Sequence, residues 1–252
     1  MEKIEIETDL HTHTVASSHG YSTIDEMARG AFKKGIKLIV LTDHGPKMLG
    51  GSDIYYFSNL SIVPDMLHGV RIIKGVEANI LDGGKLDLSD EILNCLDFVA
   101  AGIHSLTGHN LKNKEDYTNA IIKVMENPYL DMITHPIQKK YPIDLEKVAK
   151  AAAENNVILE LNSSSYNPKK GYIRGIKKDS IKLLELSNQY KFKLAINSDA
   201  HFYSEIGDFS NLDFIFNNNN FNRELIVNRS IDSITSYLKG RNKEISRLKK
   251  II

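Results

Sequence analysis

The chain has 252 residues, a length at which a hydrophobic core can close without disulfide or metal staples. Lys and Arg total 32 and Asp and Glu total 32, so bulk charge does not hold this chain on nucleic acid or an anionic membrane, although a local basic cleft stays open. Apolar residues at 42 % and charged residues at 25 % exclude a disordered chain.

Along the chain, Ile4, Ile6, Thr8 and Leu10 alternate with polar residues and predict a strand running into His11. Ser22 is placed to cap a helix over Thr23–Lys34, with Gly35 just past its end. Leu38–Leu41 is an unbroken apolar run, read as a fully buried strand. Further strands are predicted at Val70–Val76, Phe98–Ile103, Met132–Thr134, Val157–Leu161 and Leu194–Asn197. Helical patterns lie between them at Glu115–Glu126, Asp144–Glu154 and Asp179–Gln189. This is an α/β alternation of about seven units, the signature of a parallel sheet or barrel.

No proline- or glycine-rich linker divides the chain, so residues 1–252 are expected to form a single domain. Asn217–Asn220 is expected as a loop or frayed helix end. The basic segment Lys239–Ile252 places Ile245, Leu248 and Ile252 at helical spacing, which predicts a solvated helix with one packed stripe. The lone Cys95 gives neither a disulfide framework nor a thiolate cluster, and its apolar neighbours predict a buried thiol. Met1–Glu5 has no apolar leader, and stretches such as Phe98–Ala101 are too short to span a membrane. A soluble protein of a reducing compartment is expected, which in a bacterium is the cytoplasm.

The chain has nine histidines and no tryptophan. Six predicted strands end in a residue able to bind metal: His11 and His13, His44, Glu77, His104, His135, and Asp199 with His201. Residues two apart on a strand share a face, so His11 and His13 can reach one ion, as can Asp199 and His201. At the carboxyl ends of parallel strands such ligands converge in space. An isolated His-x-His is ordinarily a surface or satisfied pair, but that reading must account for six strand ends at once. Imidazole and carboxylate without thiolate suit zinc, manganese or iron. His19 follows in the loop Ser17–Tyr21, and spacing alone does not assign it. His68 and His109 lie off the pattern and are expected at the surface.

Asp9–Thr14 with Ser17–His19, then Leu41–Gly45, resemble the first two motifs of the PHP (polymerase and histidinol phosphatase) superfamily. Gly75–Asn79, Ala101–His104, Ile133–Pro136, Glu160–Ser164 and Asn197–His201 are similar to its later motifs, in the same order. The resemblance covers about Ile6 to Phe202 and lies nearest the stand-alone bacterial phosphatases. It implies a distorted (β/α)7 barrel with a metal site at the C-terminal ends of the strands, holding three divalent ions. By resemblance, one ion takes His11, His13, Glu77 and Asp199, a second takes His19, His44 and His201, and a third takes His104 and His135 with Glu77 bridging. Zinc is the first choice, with manganese or iron as alternatives. Lys47 and the loop Ile137–Tyr141 depart from the family's pattern where it varies with substrate.

The chemistry this implies is hydrolysis of a small phosphate monoester, with a metal-bound hydroxide attacking phosphorus at a trinuclear site. Asp43, beside His44, is read either as a residue orienting an imidazole or metal water, or as a helix cap. Lys47, Lys139 and Lys140 are candidates for substrate phosphate, and Asn162 for substrate or a ligand; Ser163 and Ser164 are turn residues. The alternatives are a metal-dependent nuclease or phosphodiesterase, a histidinol phosphatase, and a metal-binding interaction module without turnover. The expected partner is a small phosphorylated substrate, with neither membrane nor nucleic acid; a homo-oligomer is left open.

Overall fold

A computed structural model describes residues 5–170, 175–216 and 221–241. Its strands are β1 (Thr8–Thr12), β2 (Leu38–Leu41), β3 (Met66–Leu67), β4 (Val70–Asn79), β5 (Phe98–Gly102), β6 (Met132–Ile133), β7 (Ile158–Asn162) and β8 (Leu194–Asn197). Its helices are α1 (Ile24–Lys33), α2 (Ile54–Asn59), α3 (Asp90–Asn94), α4 (Lys114–Val124), α5 (Leu145–Asn155), α6 (Lys177–Tyr190), α7 (Asp213–Phe216) and α8 (Ile231–Gly240). Seven strands pair in parallel in the order β1-β2-β4-β5-β6-β7-β8, and the short β3 adds antiparallel to β4. These seven are the strands expected from the apolar runs. β4 continues three residues beyond the predicted Val76, so Glu77 lies within a strand rather than at its end.

The sheet curls until β1 and β8 nearly meet, and polar groups fill the seam. At the top, the His13 N–H donates to the Ala200 carbonyl at 2.8 Å. Lower down, Asn228 stands in for a missing stretch of strand. Its Nδ2 donates to the carbonyls of Thr8 (2.9 Å) and Ile196 (2.6 Å), and its Oδ1 accepts from the Ile196 N–H at 3.0 Å. Asn197 Oδ1 takes the Leu10 N–H at 3.0 Å. Each buried backbone group left unmatched costs about 1–3 kcal/mol. Asn228→Ala is therefore expected to lose roughly 2–4 kcal/mol of stability, read as a lowered urea midpoint at unchanged slope.

Two apolar layers hold the barrel. Inside it, Leu10, Leu38, Val40, Ile73, Phe98, Met132 and Ile158 meet Ile234, Tyr237 and Leu238 of α8. Leu38, Ile73, Phe98, Met132 and Ile158 lie in the first half of their strands, so α8 closes the amino-terminal mouth. The Tyr237 hydroxyl donates to the carbonyls of Asp131 and Asn156, just before β6 and β7, and fixes the plug. The outer layer packs Ile39, Leu41, Val76, Val99, Leu159 and Leu161 under the helices. Only the carboxyl ends of the strands are left for chemistry.

Local differences from expectation have local causes. Thr23, not Ser22, caps α1, because a reciprocal capping box with Glu26 is available to it. Ser22 instead accepts the Tyr203 N–H. Cys95 is exposed rather than buried: it ends the short α3, where Leu93 and Leu96 take the inward positions. The tract Asn217–Asn220, and the C-terminal segment from Asn242 with its Ile245, Leu248 and Ile252, lie outside the described residues. Among the described residues no helix is long and apolar enough to cross a membrane.

Candidate metal centre

Strand parity carries most of the site. The inward series Leu38, Val40 leads on to His44, Ile73 to Glu77, Phe98 and Ala100 to His104, and Ala195 to Asp199 and His201. Two strands break parity. In β1 the inward residue is Leu10, and a register shift between Asp9 and Thr12 turns His11 and His13 inward. After β6 the inward residue is Met132, and a positive φ of 30° at His135 swings its imidazole into the barrel. Asp199 also has a positive φ, 53°. Strain of this kind in non-glycine residues collects at functional sites.

Glu77 sits at the centre, fully buried on β4. Its Oε2 lies 3.4 Å from His11 Nε2, 3.5 Å from His13 Nε2 and 2.9 Å from His44 Nδ1. Its Oε1 lies 3.2 Å from His104 Nε2 and 2.9 Å from His135 Nε2. Asp199 Oδ1 closes the other side, 3.7 Å from His11 Nε2 and 3.4 Å from His13 Nε2. The imidazoles also face one another, with His11 and His13 Nε2 atoms 3.0 Å apart and those of His104 and His135 3.2 Å apart. His44 and His201 converge with His13, their donor atoms within 4.8 Å of one another. His19, partly exposed, stacks its ring on those of His201 and His44, with centroids 4.6 and 5.0 Å apart.

The opposite ring nitrogens are tied down, Asp199 apart, by residues to which the sequence reading gave no role. His11 Nδ1 meets Glu160 Oε1 at 2.8 Å, His13 Nδ1 meets Ser17 Oγ at 3.0 Å, and His104 Nδ1 meets Asn79 Oδ1 at 2.8 Å. Gln138 holds His135 Nδ1, and the Asp199 carbonyl lies 3.0 Å from His201 Nδ1. Glu160 also takes the His135 N–H at 2.6 Å and the amides of Asn162 and Asn197. A signal for it existed: it is the one charged residue in the apolar run Val157–Leu161. Asn162 donates to Asp199 Oδ2 at 3.2 Å, so of its two predicted uses it shows the contact to a candidate ligand.

Asp43 caps none of the described helices; Asp53 caps α2. It accepts from the Thr14 N–H and hydroxyl, from Ser17 Oγ at 2.6 Å and from the Tyr56 hydroxyl. It thus reaches His13 through Ser17, whose oxygen also takes the His44 N–H at 3.1 Å. Burial and the adjacent Asp43 carboxylate hold the Tyr56 phenol far above its usual range. His68 is exposed and pairs with Asp25. His109 is not a plain surface residue; it is partly buried and donates from Nε2 to the His104 carbonyl at 3.1 Å.

Proton affinities follow from this crowding. Burial works against charge on His11, but Glu160, Glu77 and Asp199 outweigh it and hold the imidazole well above the usual range. Burial, with His201 and His44 beside it, drives His13 well below that range. Burial pushes His104 down to about 4. Burial opposes the charge on Glu77 too, yet His104, His11, His44 and His135 hold it well below the ordinary carboxylate value.

The family model described as "PHP domain" matches residues 9–164, the stretch from β1 to just past β7. The chain belongs to this PHP family. A protein of Caldanaerobacter subterraneus named a probable phosphatase is 41% identical over 244 residues, covering 96% of this chain and 95% of its own. Among solved structures, histidinol phosphate phosphatase of Lactococcus lactis, complexed with zinc, L-histidinol and phosphate, superposes with a TM-score of 0.56 at 17% identity. It covers 93% of each chain. A chain in the cryo-EM structure of archaeal ribonuclease P with mature tRNA gives 0.60 at 12% identity, covering 94% of this chain and 93% of its own. At such identities the likeness shows the PHP fold alone, and one fold hosts different functions.

Proposed function

We propose that this metal-dependent phosphatase hydrolyses a small phosphate monoester at three divalent ions, with residues 1–252 acting as one domain. The ligands would be His11, His13, Glu77 and Asp199 for one ion, His19, His44 and His201 for the second, and His104 and His135 with Glu77 for the third. The observation that carries this reading is the pairing of ring nitrogens: each of His11, His13, His104 and His135 has Nδ1 held from outside and Nε2 aimed at the centre. That is how metal-bound imidazoles are oriented.

The donor set fits the ions. Donors about 2.0–2.1 Å from a tetrahedral ion stand roughly 3.3 Å apart; His11, His13 and Glu77 stand 3.0 to 3.5 Å from one another, and Asp199 Oδ1 lies 3.7 and 3.4 Å from the two imidazoles. His44 Nδ1 and Glu77 Oε2 stand 2.9 Å apart, yet both remain buried without a hydrogen bond. Buried polar atoms brought together and left unsatisfied point to a missing shared partner. An imidazole-rich shell without thiolate puts zinc first, with manganese or iron as alternatives.

Bound divalent ions lower the pKa of water toward neutrality and neutralise charge on a phosphoryl group. The protein's part is positioning. Glu160, Ser17, Asn79 and Gln138 fix which ring nitrogen of each imidazole faces the centre, and Asp43 steadies His13 and His44 through Ser17. His13 and His104 are already neutral, so their donors are ready. Glu160, Glu77 and Asp199 favour the protonated form of His11, and metal binding must displace that proton, so metal affinity rises with pH.

The test is metal analysis of the purified protein together with release of phosphate from an aryl phosphate, with and without added Zn²⁺ or Mn²⁺. Two to three ions per chain, metal-dependent turnover and proton release on loading are expected. Full occupancy without monoester hydrolysis would move the reading to a diesterase, and a chain that binds no metal would end it.

A further inference from the structure

Lys47, Lys139 and Lys140 lie in loops beyond the carboxyl ends of β2 and β6, and the structure treats them differently. Among the described residues, the Lys47 and Lys139 side chains make no hydrogen bond or ion pair. Lys140 donates from Nζ to Ser105 Oγ, and Ser105 Oγ is 2.7 Å from the Tyr141 hydroxyl. The ammonium also lies 5.5 Å from the centroid of the Tyr141 ring. That ring is itself buried, edge-on to Tyr117 at 5.4 Å and to His109 at 6.3 Å. Fixing an exposed lysine costs rotamer entropy, and among the described residues no carboxylate balances its charge. A cation is thus held in place on a rigid aromatic footing, with donors to spare.

Its position is tied to the site at two points. Ser105 follows His104, and Lys140 lies in the loop that leaves His135, so the Lys140–Ser105 contact joins the loops after β5 and β6. His104 sends Nε2 inward to Glu77, while Ser105, the next residue about 3.8 Å along the backbone, reaches Lys140. The ammonium is thus held by the residue that follows a candidate ligand, on the rim formed by the loops after β5 and β6.

We propose that Lys140, positioned by Ser105 and Tyr141, binds a second anionic group on the substrate's leaving portion, making this a phosphatase for monoesters whose short tail carries a carboxylate or another phosphate. The proposal rests on the phosphatase reading above. Ser105 sets where the charge stands, and Lys140 supplies the charge-assisted hydrogen bond that a neutral tail cannot form.

The test compares propyl phosphate with its analogues bearing a terminal carboxylate or a second terminal phosphate, each as kcat/KM with metal-loaded enzyme. Wild type is expected to favour at least one anionic tail by about tenfold, the lower range for a hydrogen bond to an exposed charged group. Lys140→Met collapses that ratio toward one, mainly through KM, at unchanged metal content, whereas Lys139→Met preserves it. The better analogue identifies the anion as carboxylate or phosphate. Hydrolysis of p-nitrophenyl phosphate without preference for either anionic tail overturns the role of Lys140 and leaves the phosphatase reading standing, as does a ratio that survives in Lys140→Met. Failure of the metal-loaded wild type on every ester, the aryl phosphate included, overturns the phosphatase reading and this proposal with it.

Discussion

Replacing Glu77 with alanine is expected to cost the centre two ions in one step and to lower kcat/KM by more than about 10³-fold, since even residues that only orient metal ligands are worth about 10–100-fold. The two carboxylate oxygens serve separate groups: Oε2 faces His11, His13 and His44, while Oε1 faces His104 and His135. Without Glu77 each of the two ions it would share loses a donor: His11, His13 and Asp199 remain for one, and only His104 and His135 for the other. Five imidazoles would also lose the buried negative charge that draws cations to them. His135→Ala gives the contrast, because it removes one donor from one group and should cost one ion. Elemental analysis of both variants beside wild type reads the difference directly. Equal metal loss in the two would mean that Glu77 does not bridge, and a full complement in Glu77→Ala would remove it from the ligand set.

The sequence showed this site in outline because a parallel barrel turns scattered strand ends into one place. Every predicted ligand from His11 to His201 lies at the carboxyl end of the barrel, and the apolar runs located all seven parallel strands. What it did not show is how the irregular positions are aimed. His11, His13 and His135 fall on the wrong parity for a regular strand, and a register shift and a left-handed backbone bring them in. Neither feature has a compositional signature at those residues. The supporting layer was harder still, since Ser17, Asn79 and Gln138 are ordinary loop and strand residues until their partners are known. Short elements such as α2 and α3 carry too few turns for periodicity to register. Cys95 was misread for the same reason: apolar neighbours in a five-residue helix do not say which side faces the core.

Glu160→Gln is the other substitution with a large expected effect, and the argument turns on donors rather than on charge alone. Everything around this carboxylate donates: His11 Nδ1 at 2.8 Å and Asn197 Nδ2 at 2.9 Å to Oε1, the His135 N–H at 2.6 Å and Asn162 Nδ2 at 3.1 Å to Oε2. An amide can satisfy one oxygen position, but its NH₂ must then face donors at the other. In a fully buried site water cannot intervene, and each unmatched group costs about 1–3 kcal/mol. The contacts join β1, β6, β7 and β8, so the penalty falls on barrel closure as well as on the metal centre. Loss of roughly 2–5 kcal/mol is expected, equivalent to about 2–4 °C in Tm for each kcal/mol in a chain of this size. Metal affinity should fall by about 10–100-fold as His11 loses its orienting carboxylate. Burial opposes the charge on Glu160, yet His11 keeps its carboxyl below the ordinary value, so the group is ionised near neutral pH and is the form the amide fails to copy. Thermal melts of metal-free and metal-loaded protein separate the two effects. A variant that melts like wild type without metal but binds metal weakly would confine Glu160 to orienting His11. A variant weakened in both states makes it a structural tie of the barrel as well.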